Sequence, residues 1–141
     1  MRFQFETLLQ VHKNRENFLK KELGDILAHK QSQQNRSDNI NSSMEKNIQE
    51  INQRMVHDLN INTHALYNNF FNGSHLQKDR QKTIISEVAL RAKTKRAELV
   101  EASRKRRTME ILKERYLKNH KNKLAKLETE AMDEIASHHW S

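Results

Sequence analysis

Apolar residues recur along the chain at spacings of three and four, separated by polar residues, which is the mark of a helix with one buried face. From Leu9 the pattern runs through His12, Glu16, Leu19, Leu23, Ile26, Lys30, Gln33, Ser37, Ile40 and Met44, apolar at its ends and polar through the middle segment KQSQQNRS. After a four-residue step it resumes as Ile48, Ile51, Met55 and Leu59. Such a step is a stutter, which locally unwinds a left-handed supercoil. A second stripe runs through Ile85, Val88, Ala92, Lys95, Leu99, Ala102, Arg106, Met109, Leu112, Tyr116, His120, Leu124, Leu127, Ala131 and Ile135. Strict alternation, the pattern of a strand, appears nowhere over a useful length.

Between the stripes lies NINTHALYNNFFNGS, residues 60–74, with five Asn and an Asn72-Gly73 pair. Those residues supply turn chemistry and left-handed backbone positions, and Ser74 suits the N-cap of a following helix. The spacing therefore predicts helix one over about 3–59, a bend over about 60–74 and helix two over about 75–137. Gly24 costs helix one about 1 kcal/mol relative to Ala and does not end it. Helices of this size are ~85–95 Å long, and a break near mid-chain lets them fold back along nearly their whole length. The expected fold is all-α: a single long antiparallel two-helix coiled-coil hairpin over residues 1–141. Its seam is expected at Leu9, Leu19, Leu23, Ile26, Ile40, Met44, Ile51, Leu99, Met109, Leu112, Tyr116, Leu127 and Ile135, interrupted by Lys30, Gln33, Ser37, Lys95 and Arg106.

Composition agrees with long helices around a narrow seam. Only 35% of the 141 residues are apolar and 31% are charged, with two glycines and no proline. The formal net charge is +8. Residues 72–141 supply most of it, with seventeen Lys/Arg against ten Asp/Glu, yet the chain turns acidic after Lys126 at Glu128, Glu130, Asp133 and Glu134. In an antiparallel hairpin that acidic end would lie beside the start of helix one, near Arg2, Lys13 and Arg15, where cations and a positive helix N-terminus stabilise it. No apolar run approaches the ~20 residues of a membrane span, and the first residues lack the core of a signal peptide, so a cytoplasmic chain is expected.

Candidate chemistry is sparse. Absence of cysteine removes thiolate ligands and nucleophiles. None of the eight histidines sits in a metal-ligand spacing, and two glycines cannot build a phosphate loop. A non-enzyme without metal, cofactor or small-molecule substrate is expected. The stretch SRKRRTMEILKER, Ser103 to Arg115, carries six cations in thirteen residues. It raises the alternative of a basic coiled coil that binds nucleic acid through counterion release. Against this, Arg104, Lys105, Arg106 and Arg107 are consecutive and so encircle a helix, and Glu101, Glu110 and Glu114 stand at pairing distance from Lys105, from Arg107 and Lys113, and from Lys118. Tyr116 stands alone, with no interleaved aromatic platform. A solvated or partner-facing basic surface is the favoured reading. Tyr67, Phe70 and Phe71 either close the end of the coil or form an apolar tip that docks a partner.

Two segments resemble the flagellar export protein family FliJ, of the type III export apparatus. FQFETLLQVHKNRENFLKKEL is similar to that family's opening, carried here by Phe5, Leu8, Leu9, Arg15 and Glu16. RKRRTMEILKERYLKNHKNKLAKLETEAMDEIA resembles its basic run, Glu-x-Leu-Lys-x-Arg element and closing Asp-Glu, at Arg104 to Arg107, Glu110, Leu112, Lys113, Arg115, Asp133 and Glu134. The resemblance implies an antiparallel coiled coil like the central stalk, the gamma subunit, of rotary ATP synthases. It implies a role in the hexameric export ATPase ring, promoting its assembly, contacting the membrane export gate and handling export chaperones, at the cytoplasmic face of the inner membrane at the flagellar base. It places the gate-facing stripe early in helix two, at Ile84, Val88, Arg91 and Lys95.

Overall fold

The computed structural model describes residues 3–57 and 61–140, without the side chains of His57, Ile61 and Trp140. Two helices make up the fold, α1 (Glu6–His57, 52 residues) and α2 (Ile61–Trp140, 80 residues), with no strand among the described residues. They pack against each other as an antiparallel helical hairpin. Glu6 opens α1 with a carboxylate in its first turn, where the helix dipole favours negative charge.

The expected bend at residues 60–74 is corrected. Ile61 to Ser74 is helical, Ser74 lies inside α2 rather than capping it, and no described residue takes a positive φ, Gly73 included. Each Asn costs a helix less than about 0.7 kcal/mol relative to Ala, a local preference that packing overrides. Here Tyr67 and Phe70, three apart on α2, line a groove with Ile51 of α1, and Phe70 stacks edge-on against Phe71 at 6.0 Å. Leu59 and Asn60, assigned to the end of helix one and the start of the bend, lie outside the described residues.

Tertiary contacts divide the chain into two compact units, each holding a segment of both helices: Met1–Lys20 with Glu98–Ser141, and Lys21–Ala97. In the first, Leu9 and Leu19 are the most completely buried large side chains, each 1% exposed. Phe3, Leu9 and Met109 form a core cluster against which Tyr116 packs, its ring 5.5 Å from that of Phe3. In the second, the buried residues are sparser and partly polar: Met44, Ile51, Val88 and Ala92 alongside Ser37 and Gln81. Gln81 crosses to α1 there, its amide donating to the Gln33 backbone carbonyl at 3.0 Å and to the Gln33 side chain at 2.8 Å.

The polar stretch around KQSQQNRS stays helical through its own surface. The amide of Gln31 donates to Asn35 at 3.0 Å and that of Gln34 to Asp38 at 3.2 Å, both at the i,i+4 spacing that supports helices by a few tenths of a kcal/mol. Local pairs of that size hold a helix weakly once its seam is polar. Amide hydrogen exchange should therefore be faster in 28–40 than in the two-helix segments on either side, and strong uniform protection there would contradict this account.

Neither glycine is required by geometry. A Cβ on Gly24 or on Gly73 would meet nothing within 4 Å, and both residues are helical. Gly24→Ala and Gly73→Ala should each raise stability by about 1 kcal/mol, read as a higher thermal midpoint by circular dichroism.

Candidate interaction surface

Charged residues at seam positions are the distinctive feature of the hairpin, and several of them pair across it. Glu16 falls on the buried face of α1, one turn before Leu19, and its carboxylate is almost wholly shielded from solvent. Arg106 of α2 reaches it, donating from Nε to Oε2 at 2.7 Å. The same guanidinium donates from its terminal nitrogen to Glu110 at 2.7 Å, so one planar cation ties two carboxylates together across the seam. Lys20, one turn along α1, also approaches Glu16, at 3.3 Å.

The electrostatics follow from that geometry. Hydrogen bonding from Arg106, helped by Ser103 and Lys20 and opposed by burial, holds the Glu16 carboxyl down to about 2. Glu110 is also lowered, chiefly by the Arg106 hydrogen bond, and Arg106 is raised above its ordinary value by Glu16 and Glu110. A carboxylate whose folded value lies below its unfolded one stabilises the fold above the unfolded value and loses that contribution as pH falls toward the folded one. The Glu16 contribution is thus complete above an ordinary value of 4.5 and disappears progressively down to about 2. Denaturant titrations should show stability falling between about pH 5 and pH 2.5, and Glu16→Gln should flatten that slope.

Two further pairs repeat the device. Lys113 lies 2.9 Å from Glu6 in the same unit as Glu16, and Lys95 lies 2.7 Å from Glu22 in the other. Spacing from Met109 predicts Leu112 on the seam, but Lys113 takes that place and Leu112 is exposed. Four residues after Met109 is the step the helix needs, and the Lys113 stem lies along the seam while its ammonium reaches Glu6.

The expected seam residues are distributed as follows. Leu9, Leu19, Met44, Ile51 and Met109 are buried, and Leu23, Ile26, Ile40, Leu99 and Tyr116 are half-buried. Leu127 and Ile135 are exposed, as is every residue from 121 to 139. Helix α1 begins at Glu6 opposite Lys113, so it has ended before α2 reaches them. The acidic residues Glu128 to Glu134 consequently do not lie beside the start of α1; Arg2 is outside the described residues.

The basic run divides in two. Arg104, Lys105 and Arg107 are exposed, while Arg106 turns into the seam instead of joining the outer surface. Arg104 approaches Glu101 at 3.9 Å, and Arg107 approaches Glu110 at 3.4 Å and Glu114 at 3.5 Å. Helical spacing predicts pairing of Glu101 with Lys105 and of Glu110 with Lys113; Arg104 and Arg106 take those carboxylates. Of the stripe assigned to a partner, Val88 is buried at 4% exposure and Lys95 is engaged by Glu22, whereas Ile84 and Arg91 are exposed. Val88 and Lys95 therefore serve the hairpin itself.

Helical spacing places Glu16 and Arg106 on the two stripes without pairing them. The signal for pairing is present all the same: acids at Glu6, Glu16 and Glu22 ascend α1 as bases at Lys113, Arg106 and Lys95 descend α2. Among the described residues there is no cluster of three His, Cys, Asp or Glu that could hold a metal, and no helix is long and apolar enough to cross a membrane.

A long antiparallel helical hairpin with salt bridges built into its seam defines a coiled-coil protein whose working parts are its surfaces. The family model described as Flagellar FliJ protein matches residues 1–141, and the chain belongs to that family. It is accordingly a component of flagellar protein export that interacts with the flagellar export apparatus. No curated protein and no solved structure matches the chain.

Proposed function

We propose that the chain is a stalk and interaction component of the flagellar type III export ATPase complex. In this reading it binds the hexameric ATPase, promotes assembly of the ring, couples it to the membrane export gate and handles export chaperones. It has no catalysis of its own and works at the cytoplasmic face of the membrane without spanning it. The observation that carries the reading is the family match over the whole chain, joined to a fold made of two long helices. Supporting it, Arg104, Lys105 and Arg107 offer an exposed basic surface suited to acidic loops of a ring, and Ile84 with Arg91 remains available for the gate. Turning Arg106 inward and setting Glu101, Glu110 and Glu114 among the other arginines weakens the case for a nucleic-acid surface.

The test is to add the purified chain to the cognate export ATPase and follow ring formation by mass photometry together with ATP turnover. Increased hexamer and faster turnover, reduced when Arg104, Lys105 and Arg107 are changed to Ser, is the expected result. No effect on assembly, combined with tight duplex-DNA binding that falls steeply with salt, would overturn it.

A further inference from the structure

Helix α2 outlasts its partner. Phe3 sits on Tyr116 and Glu6 on Lys113, and from there α2 continues to Trp140. The stretch beyond is not uniformly polar. Leu117, Leu124, Leu127, Ala131 and Ile135 fall within ~80° of arc on one side of the helix. That side continues the one which Ala102, Met109 and Tyr116 present to α1. The four large residues are 50%, 48%, 53% and 68% exposed. Charge is ordered along the same stretch: Lys118, Lys121, Lys123 and Lys126 come first, then Glu128, Glu130, Asp133 and Glu134.

We infer that residues 117–135 pair antiparallel with the same residues of a second copy of this chain, about a two-fold axis near Lys126. In that register Leu117 of one copy faces Ile135 of the other and Leu124 faces Leu127, each contact occurring twice, as an isologous interface requires. Along the flanks Lys121 stands opposite Glu128 and Lys123 opposite Glu130. A segment whose large apolar positions mirror about its midpoint, and whose halves carry opposite charge, is complementary to itself. Parallel pairing sets lysines beside lysines and acids beside acids, so charge selects the antiparallel orientation. The second helix runs in the direction of α1, and in this register its last turn, residues 136–140, passes beside Phe3 and Glu6 of the first copy, level with residues 112–116. The contact is about 28 Å long, which makes the dimer weak and sensitive to salt. This inference stands independently of the stalk reading.

Sedimentation equilibrium on the full chain tests it. At about 100 μM and low salt the mass should approach twice 16.8 kDa, with the dissociation constant rising about tenfold or more in ~0.5 M salt. Leu124→Glu with Leu127→Glu should give a monomer with helix content retained, since neither side chain is buried in the single chain. Lys121→Glu with Lys123→Glu, and Glu128→Lys with Glu130→Lys, should each give monomers that dimerise when mixed. The chain has no cysteine of its own, so Leu117→Cys and Ile135→Cys chains, mixed and oxidised, should form the mixed disulfide dimer. A monomer at about 200 μM would overturn the inference and leave this face to another protein of the export apparatus. So would a dimer unaffected by the Leu124 and Leu127 changes, or Leu117→Cys chains that cross-link with themselves.

Discussion

Arg106→Met should shift the unfolding equilibrium toward the unfolded state by about one to two powers of ten, and adding Glu16→Met should recover most of that loss. The reason lies in where Glu16 sits. Its carboxylate is buried beside Leu19 and keeps its charge because Arg106 donates at 2.7 Å. Removing the guanidinium leaves that charge shielded from water, with the Ser103 side chain and Lys20, itself exposed and 3.3 Å away, as remaining partners. Removing both charges replaces a desolvated ion pair with two side chains of fitting length and no orphan, a change that is often neutral or stabilising. Arg107→Met is the matched control, since that guanidinium is exposed and reaches its carboxylates only at 3.4 and 3.5 Å. Exposed pairs of this kind contribute at most about 1 kcal/mol. Urea titrations followed by circular dichroism on the four chains of the cycle give the coupling directly. A double variant no more stable than Arg106→Met would show that the guanidinium stem, rather than charge pairing, carries the effect.

What the linear pattern reveals and what it conceals divide along a physical line. The existence of two long helices follows from spacing, absence of proline and a supply of good helix formers, all local properties, and so it is legible. Register is not local. A reversal centred within residues 60–74 sets Glu6 opposite Glu128, whereas the structure sets it opposite Lys113, fifteen residues earlier. That single displacement explains the misplaced Leu127 and Ile135, the acidic tail assigned to the wrong neighbour and the ion pairs left unmatched. It arises because Asn-Gly is a turn signal in isolation, while on α2 it is outweighed by a continuous helix in which Tyr67 and Phe70 line a groove beside Ile51. The stripe assigned to a partner is divided for a related reason. Val88 and Ile84 are four apart and share a helix face, yet Val88 is buried and Ile84 exposed, a difference set by where α1 passes.

Leu9→Ala and Leu19→Ala should each cost about 3 kcal/mol, and the two together should leave the terminal unit unfolded near room temperature. Both side chains are 1% exposed, and the seam around them is otherwise narrow: a Phe3–Leu9–Met109 cluster at one end and the Glu16–Arg106 pair between. In a broad core, neighbours relax into part of the space left by a deleted side chain. Two helices held by a single row of side chains have few neighbours to move, so the space stays open and its lining goes without packing partners. Leu9 and Leu19 are ten residues apart, about 15 Å along the helix axis, far enough for their effects to add. The sum then approaches the whole stability of an ordinary domain, about 5–15 kcal/mol, drawn here from a chain in which only 35% of residues are apolar. Leu8→Ala, on the exposed face one residue from Leu9, should change stability by no more than about 0.5 kcal/mol. Thermal melts and native-state hydrogen exchange over residues 6–20 and 98–116 provide the measurement, with loss of protection confined to those segments in the double variant. Equal effects from Leu8→Ala and Leu9→Ala would mean that the face assigned to the seam is wrong.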